Sequence, residues 1–241
     1  MIRRMKTIGW LLAVVGVVCL ISYPVQEVKD AWQTWSSPLS GKVVVLDPGH
    51  GAPDGGAVGR NGTEEKDITL ELSQYLRDYL QEAGAIVYLT RDDDNDLSSD
   101  EGSLSRRKAE DIRKRVDFIK SKKADLFLSL HLNAIPSEKW RGAQTFYNPK
   151  SDKSESLAKF IQSEIETNLE NTTRKSMGLT NIYLLKHTKA PGALVEAGFL
   201  SNQEERTLLE SEEYQRKMAA SVYRGILRYV TELEYPEDSE E

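Results

Sequence analysis

Apolar positions along this chain recur with two periods, and the switches between them outline a fold. "VVVL", Val43 to Leu46, is a β-branched run suited to a buried strand, and Asp47-Pro48-Gly49 ends it abruptly. In "EEKDITLELSQYLRDYLQEAG", Ile68, Leu72, Leu76 and Leu80 fall four apart, which predicts an amphipathic helix that stops at Gly84. "AIVYLTR" reads as a second strand. Ser105 to Lys120 predicts a highly charged helix with Ile112, Val116 and Ile119 on its inner face. "ADLFLSLHLNA" returns to period two, with Leu126, Leu128 and Leu130 on one side and Phe127, Ser129 and His131 on the other. "GAQTFYN", "IYLL" and "GALVEAGF" predict further strands. Leu157, Ile161, Ile165 and Leu169 mark another helix, and a last one runs through "EEYQRKMAASVYRGILRYVTEL". Strands alternating with helices predict an α/β fold, a single open mixed sheet with helices on both faces.

The amino terminus follows a different pattern. "MIRRMK" is basic, and "TIGWLLAVVGVVCLISYP" follows it without a charge. Ile8 to Ile21 has the length of a signal-peptide core and is short for a membrane-spanning helix. It is apolar all round, unlike a helix that packs one face on a domain. Arg3, Arg4 and Lys6 should stay in the cytoplasm, which sends everything after Tyr23 outside. No small-x-small cleavage signal precedes Pro24, and Val18 before Cys19 departs from a lipid-attachment motif, so an anchor and a cleaved signal both stay open. The expected organisation is a signal peptide or membrane anchor over 1–24, a linker over 25–40, one globular domain over 41–234 and an acidic tail over 235–241.

Composition narrows the function classes. At 39% hydrophobic and 29% charged, the chain can build one ordinary core. Its net charge is -6, and with no basic excess the reading is no nucleic acid partner. Cys19 is the one cysteine and lies before the domain, which excludes disulfides and thiolate metal sites there.

The candidate chemistry gathers at strand ends, where open α/β sheets place their sites. His50 stands at the stop of the first strand and His131 at the end of "DLFLSLH", whereas His187 follows "IYLLK" among lysines and reads as surface. Two such histidines with a carboxylate between them make the His₂Glu pattern of an open catalytic zinc site. Glu64 and Glu65 both qualify by spacing, and an acid there also suits a helix start. Glu196 sits in the otherwise apolar "ALVEAGF", where an acid is costly without a partner or a task. An ion pair with Arg91 and a catalytic role are both open. Asp47 offers either a group that orients a ligand or a turn cap. The acid-rich "DDDNDLSSDEGS" lacks the glycine and terminal glutamate of a calcium loop and reads as a solvated turn. "GAPDGGAVGRNG" lacks the Gly-Lys-Ser/Thr ending of a phosphate-binding loop.

Five segments, "LDPGHGAPDGGAVG", "EEKDITLEL", "YLTRDDD", "LFLSLHLNA" and "VEAGFLSN", stand in the order found in zinc-dependent N-acetylmuramoyl-L-alanine amidases of the family-3 type. The chain resembles that family from Lys42 to about Tyr229, and "SLSRRKAEDIRKRV", "HLNAIPSEKWRGAQTFY" and "NLENTTRK" resemble its spore-cortex branch. The resemblance implies that His50, Glu65 and His131 bind zinc, that Glu196 is the catalytic glutamate and that Glu64 is a bystander. It implies that 41–234 is a zinc amidase domain acting on peptidoglycan, glycan strand plus stem peptide. The reaction would be hydrolysis of the amide between N-acetylmuramic acid and L-alanine, generating the muramic δ-lactam precursor in spore cortex. Pro48 and Gly49 would then turn His50 toward the mouth of the sheet. The expected location is extracytoplasmic, membrane-anchored or secreted, in the spore envelope. With no wall-binding repeat, the membrane segment or an unidentified regulatory protein would supply placement. The competing expectation is a non-catalytic peptidoglycan-binding or scaffold module, against which the four candidate residues argue.

Overall fold

Six strands form one sheet in the order β2-β1-β3-β6-β4-β5 in the computed structural model, which describes residues 37–99 and 101–234. The expected anchor or signal, most of the expected linker and the acidic tail lie outside the described residues. In chain order the elements are β1 (Val43–Pro48), α1 (Glu65–Glu82), β2 (Ile86–Leu89), α2 (Leu104–Ser121), β3 (Leu126–Asn133), β4 (Gln144–Tyr147), α3 (Asp152–Leu169), β5 (Met177–Gly178), α4 (Tyr183–His187), β6 (Gly192–Phe199), α5 (Gln203–Leu209) and α6 (Glu212–Glu234). β1 pairs in parallel with β2 and β3, and β3 in parallel with β6. β4 is antiparallel to β6 and parallel to β5, so the sheet is mixed, as predicted. The chain leaves β1 for one neighbour and returns to the other side as β3. That reversal opens a crevice at the carboxyl ends of β1 and β3, the usual place for a ligand in such sheets.

The period-two alternation sorts side chains onto two faces. Val44, Leu46, Leu126, Leu128, Leu130, Ala193 and Val195 enter the larger core with Leu72 and Leu76 of α1, Leu157 and Ile161 of α3, and Val222 and Ile226 of α6. Val45, Phe127 and Leu194 face the opposite way and pack with Val116 and Ile119 of α2 and Leu184 and Leu185 of α4. On that second face the strands turn polar toward their carboxyl ends, through Asp47, Ser129, His131 and Glu196. Within the stretch expected as linker, Leu39 is fully buried and its N–H donates to the Ala83 carbonyl at 3.0 Å. No helix among the described residues is long and apolar enough to cross a membrane.

Three elements differ from the sequence expectation. "IYLL" is not a strand but lies in and just before α4, where it inserts Leu184 and Leu185 into the smaller core. A short apolar run carries no period long enough to separate strand from helix. β5 and α5 were not anticipated. α5 had a readable signal, because the Asn202 side chain caps it by accepting from the Glu205 N–H, and the pattern is Asn-x-x-Glu.

β6 opens with a steric requirement. Gly192 lies opposite Phe127 in the ladder, and a Cβ there would stand 2.0 Å from the phenyl Cε1. Gly192→Ala should destabilise the domain by about 1–3 kcal/mol, the usual range for overpacking. Chemical denaturation would measure it, and combining the change with Phe127→Leu should recover part of the loss.

Candidate metal centre

β1 ends at Pro48, and the next residues leave the sheet under tension. The Gly49 N–H still donates to Leu130 O at 2.9 Å, but His50 has φ +62°, in the left-handed region that β-carbon sterics disfavour. Two buried arginines hold this turn. Arg115 donates to the Pro48 carbonyl at 2.7 Å and to the His50 carbonyl, and pairs with Asp47 and Asp111, each at 2.8 Å. Arg91 donates to Pro48 O at 3.1 Å, to Gly49 O at 2.9 Å and to Lys66 O at 2.7 Å, tying the turn to the start of α1. Asp47 also accepts from Ser129 Oγ at 2.6 Å and Thr90 Oγ1 at 2.7 Å. Burial pushes the Asp47 carboxyl up, but the Arg115 charge and these hydrogen bonds outweigh it and hold the pKa below the ordinary value. Asp47 is therefore neither a turn cap nor a hydrogen-bond partner of a histidine. It is the counter-charge of the arginine that holds the His50 backbone.

The His50 ring is fixed from both nitrogens, Nδ1 by Asp54 Oδ2 at 2.8 Å and Nε2 by Glu65 Oε2 at 3.1 Å. Asp54 was not singled out in the sequence, although an acid inside "APDGG" was the available signal. Glu65, the first residue of α1, is 2% exposed. Its Oε1 accepts from the Leu132 N–H at 2.8 Å and lies 2.9 Å from His131 Nδ1, while its Oε2 accepts from the Ala57 N–H at 2.7 Å. Spacing left Glu64 and Glu65 open, and the fold separates them. Glu64 turns outward to Lys66 at 3.2 Å, whereas Glu65 joins both histidines.

The rings of His50 and His131 meet edge to face with centroids 5.0 Å apart, and the donor atoms of His50, Glu65 and His131 lie within 4.8 Å of one another. It is the one such group of metal-binding side chains among the described residues. The glycines here make room. A Cβ on Gly49 would stand 2.5 Å from His131 Cε1, and one on Gly56, at φ +74°, would stand 2.6 Å from both Glu65 Oε2 and His50 Cδ2. Burial opposes charge on His50, but hydrogen bonds to Asp54 and Glu65 outweigh it and raise its pKa to about 9. Glu65 is held well below the carboxylate range by both histidines in spite of burial. Two imidazoles and a carboxylate converging at this separation fit a divalent cation.

Glu196 lies opposite His131 in the β3–β6 ladder but outside this trio. Its Oε2 is buried with no hydrogen-bond partner. Burial raises its pKa to about 7, with the two histidines opposing the shift and Glu65 reinforcing it. The ion pair with Arg91 does not form, since the Arg91 N–H groups go to backbone carbonyls and Thr69. His187 is exposed and stacks on Tyr183, away from the trio. The acid-rich loop is not wholly solvated, because the Asp96 side chain is covered and pairs with Arg107 at 2.7 Å.

An open α/β sheet with a His-Glu-His donor set and an unpaired buried carboxylate beside it defines a metal-dependent hydrolase. The sequence model of the N-acetylmuramoyl-L-alanine amidases matches residues 44–228, and the chain belongs to that family. It is 53% identical over 232 residues to the germination-specific N-acetylmuramoyl-L-alanine amidase of Bacillus subtilis, covering 95% of this chain and 97% of that one. The CwlD amidase from Clostridioides difficile, solved in complex with the GerS lipoprotein, superposes with a TM-score of 0.77 at 38% identity, over 79% of this chain and 99% of that one. The catalytic domain of CwlV from Bacillus (Paenibacillus) polymyxa superposes at 0.69 with 30% identity, over 78% and 98%. The chain is thus a metal-dependent amidase that hydrolyses the bond between N-acetylmuramic acid and L-alanine in peptidoglycan.

Two outcomes follow from the buried charges. Asp47→Ala leaves Arg115 with Asp111 alone and should cost about 3–5 kcal/mol, the range for breaking a buried pair, as read by denaturation. Glu196 acts with the opposite sign. Its folded pKa of about 7 lies above the ordinary 4.5, so the metal-free folded state binds the extra proton between those values and loses stability as pH rises through them. Metal-free Glu196→Gln should therefore melt higher than metal-free wild type above pH 7, with the gap closing toward pH 4.5. A gap independent of pH would contradict the raised pKa.

Proposed function

We propose that His50, Glu65 and His131 hold a zinc ion and that Glu196 is the general base in hydrolysis of the muramoyl–alanine amide. The observation that carries the reading is Glu196 Oε2, buried without a partner beside three converging donors. A set of two imidazoles and one carboxylate, with no thiolate, suits zinc in an open site. When bound, zinc supplies a Lewis acid that polarises the amide carbonyl and makes water nucleophilic near neutral pH.

The chain's own groups do the rest. Asp54 holds Nδ1 of His50, which leaves Nε2 directed at the shared centre. The Ala57 and Leu132 N–H groups hold the two oxygens of Glu65 and fix the carboxylate plane. Glu196 takes the proton of the attacking water and returns it to the leaving amine of L-alanine. In the metal-free protein its burial raises its proton affinity above that of an ordinary carboxylate.

The near full-length likeness to a germination-specific amidase supports a role in spore-cortex peptidoglycan. There the freed lactyl carboxylate is the precursor of muramic δ-lactam. We place the enzyme outside the cytoplasmic membrane in the spore envelope, with 1–24 as anchor or signal, 25–40 as linker, 41–234 as the catalytic domain and 235–241 as an acidic tail. The clostridial relative was solved in complex with a lipoprotein, which is consistent with a protein partner for this chain as well.

Elemental analysis of purified variants tests the ligand set. His50→Ala, Glu65→Ala and His131→Ala should lose most of their zinc, whereas His187→Ala and Glu64→Ala should keep it. Glu196→Gln should keep zinc and lose on the order of a hundred- to ten-thousand-fold in amide cleavage, followed by mass spectrometry of muropeptides. Full zinc in His131→Ala would remove it from the set, and near-normal turnover in Glu196→Gln would make that residue structural.

A further inference from the structure

Arg174, in the "NLENTTRK" segment between α3 and β5, is a fixed cation that the chemistry above does not use. Its backbone is tied down, since the Arg174 N–H donates to Thr172 Oγ1 at 3.0 Å and its carbonyl accepts from Gln162 Nε2 at 2.9 Å. The guanidinium lies between two rings, 5.4 Å from the Trp140 centroid and 5.3 Å from that of Phe199. Nε donates to Arg141 O at 3.2 Å and Nη1 to Gln144 Oε1 at 3.2 Å. Among the described residues no carboxylate pairs with it. Glu204 pairs with Arg141, and Glu205 accepts the N–H groups of Gly142 and Phe199. Arg174 acts on Glu205 through its charge but forms no close ion pair with it. A guanidinium flanked by aromatic faces with no carboxylate in contact is prepared for one, which its fork binds through two parallel hydrogen bonds.

The sheet places this cation relative to the metal centre. Gln144 stands opposite Glu196 in the β4–β6 ladder, and Glu196 stands opposite His131. Paired residues share a face. Strands lie about 4.8 Å apart, so Gln144 is roughly 10 Å across the sheet from His131. Two peptide residues span at most about 7 Å, so a carboxylate at the end of the second residue's side chain, a few ångströms farther on, comes within reach of Arg174. The glycan side offers no such group, because N-acetylated sugars are neutral and the lactyl carboxyl is itself the acyl half of the bond being cut. We propose that Arg174 is a specificity-determining residue that binds a stem-peptide carboxylate on the leaving-group side, with Trp140, 52% exposed, as the outer wall of the subsite. This rests on the amidase reading of the same centre.

The test compares N-acetylmuramoyl-L-alanyl-D-glutamate with its neutral diamide on the full-length enzyme. Wild type should prefer the acid on the order of ten- to hundred-fold in kcat/KM, mostly through KM, as expected for a charge-assisted hydrogen bond. Arg174→Gln should erase that preference while turning over the diamide within a few-fold of wild type and keeping its zinc. Arg174→Lys, a charge without the fork, should retain part of the preference. Equal treatment of both substrates by wild type overturns the subsite, and so does a loss in Arg174→Gln that leaves the preference intact. A wild-type enzyme that holds zinc and cleaves neither substrate instead breaks the amidase reading, and the subsite falls with it.

Discussion

The buried pair of Asp47 and Arg115 is the constraint on which this site depends. Where β1 ends, the carbonyls of Pro48, Gly49 and His50 leave the sheet ladder inside the protein, and buried carbonyls must find donors. Arg115 and Arg91 supply those donors from two directions. The charge this brings into the interior is balanced by Asp47, itself held by Ser129 and Thr90 from the neighbouring strand and loop. The clamp holds His50 in a left-handed conformation that it would otherwise leave, and so aims the imidazole at the first residue of α1.

The centre also separates two kinds of buried acid. Glu205 accepts two backbone N–H groups and so completes the structure around Gly142 and Phe199. Glu196 has an oxygen with nothing to accept from, one strand away from His131. Burial raises the pKa of both, but only Glu196 combines that shift with an unmet acceptor. Folded proteins rarely leave such an atom without a reason, and proximity to the donor trio supplies one here. His50 and His131 meanwhile each bond to Glu65, which keeps the three converged.

The two faces of the sheet divide the labour. One is thick with the side chains of α1, α3 and α6 and anchors the strands. The other is thinner, covered by α2 and α4, and its strands give way to polar residues at their carboxyl ends. Chemistry, arginine clamp and the Arg174 pocket all belong to that second side, so adjacent strand positions alternate between holding the fold and serving the site.

Much of this was legible in the chain. Fourfold spacing of Ile68, Leu72, Leu76 and Leu80 and the alternation from Leu126 to His131 depend only on local geometry, so helix, strand and core face could be read from them. His50 and His131 at strand stops, and Glu196 inside an apolar strand, stood out because their polarity breaks a local pattern. The amphipathic periods carry no such information about "IYLL", whose four residues fit either structure until the smaller core takes up Leu184 and Leu185. Nor could spacing choose between Glu64 and Glu65, because the choice is made by the N–H groups of Ala57 and Leu132, one from a glycine-rich loop and one from β3. Asp54 on His50, Arg115 on the turn and Arg174 beside Gln144 are likewise meetings of distant segments. Local sequence sets which residues can fold and on which face they lie; only the packing of β1, β3, β6 and their helices brings the charges together, because electrostatic and hydrogen-bond partners are selected by distance in space.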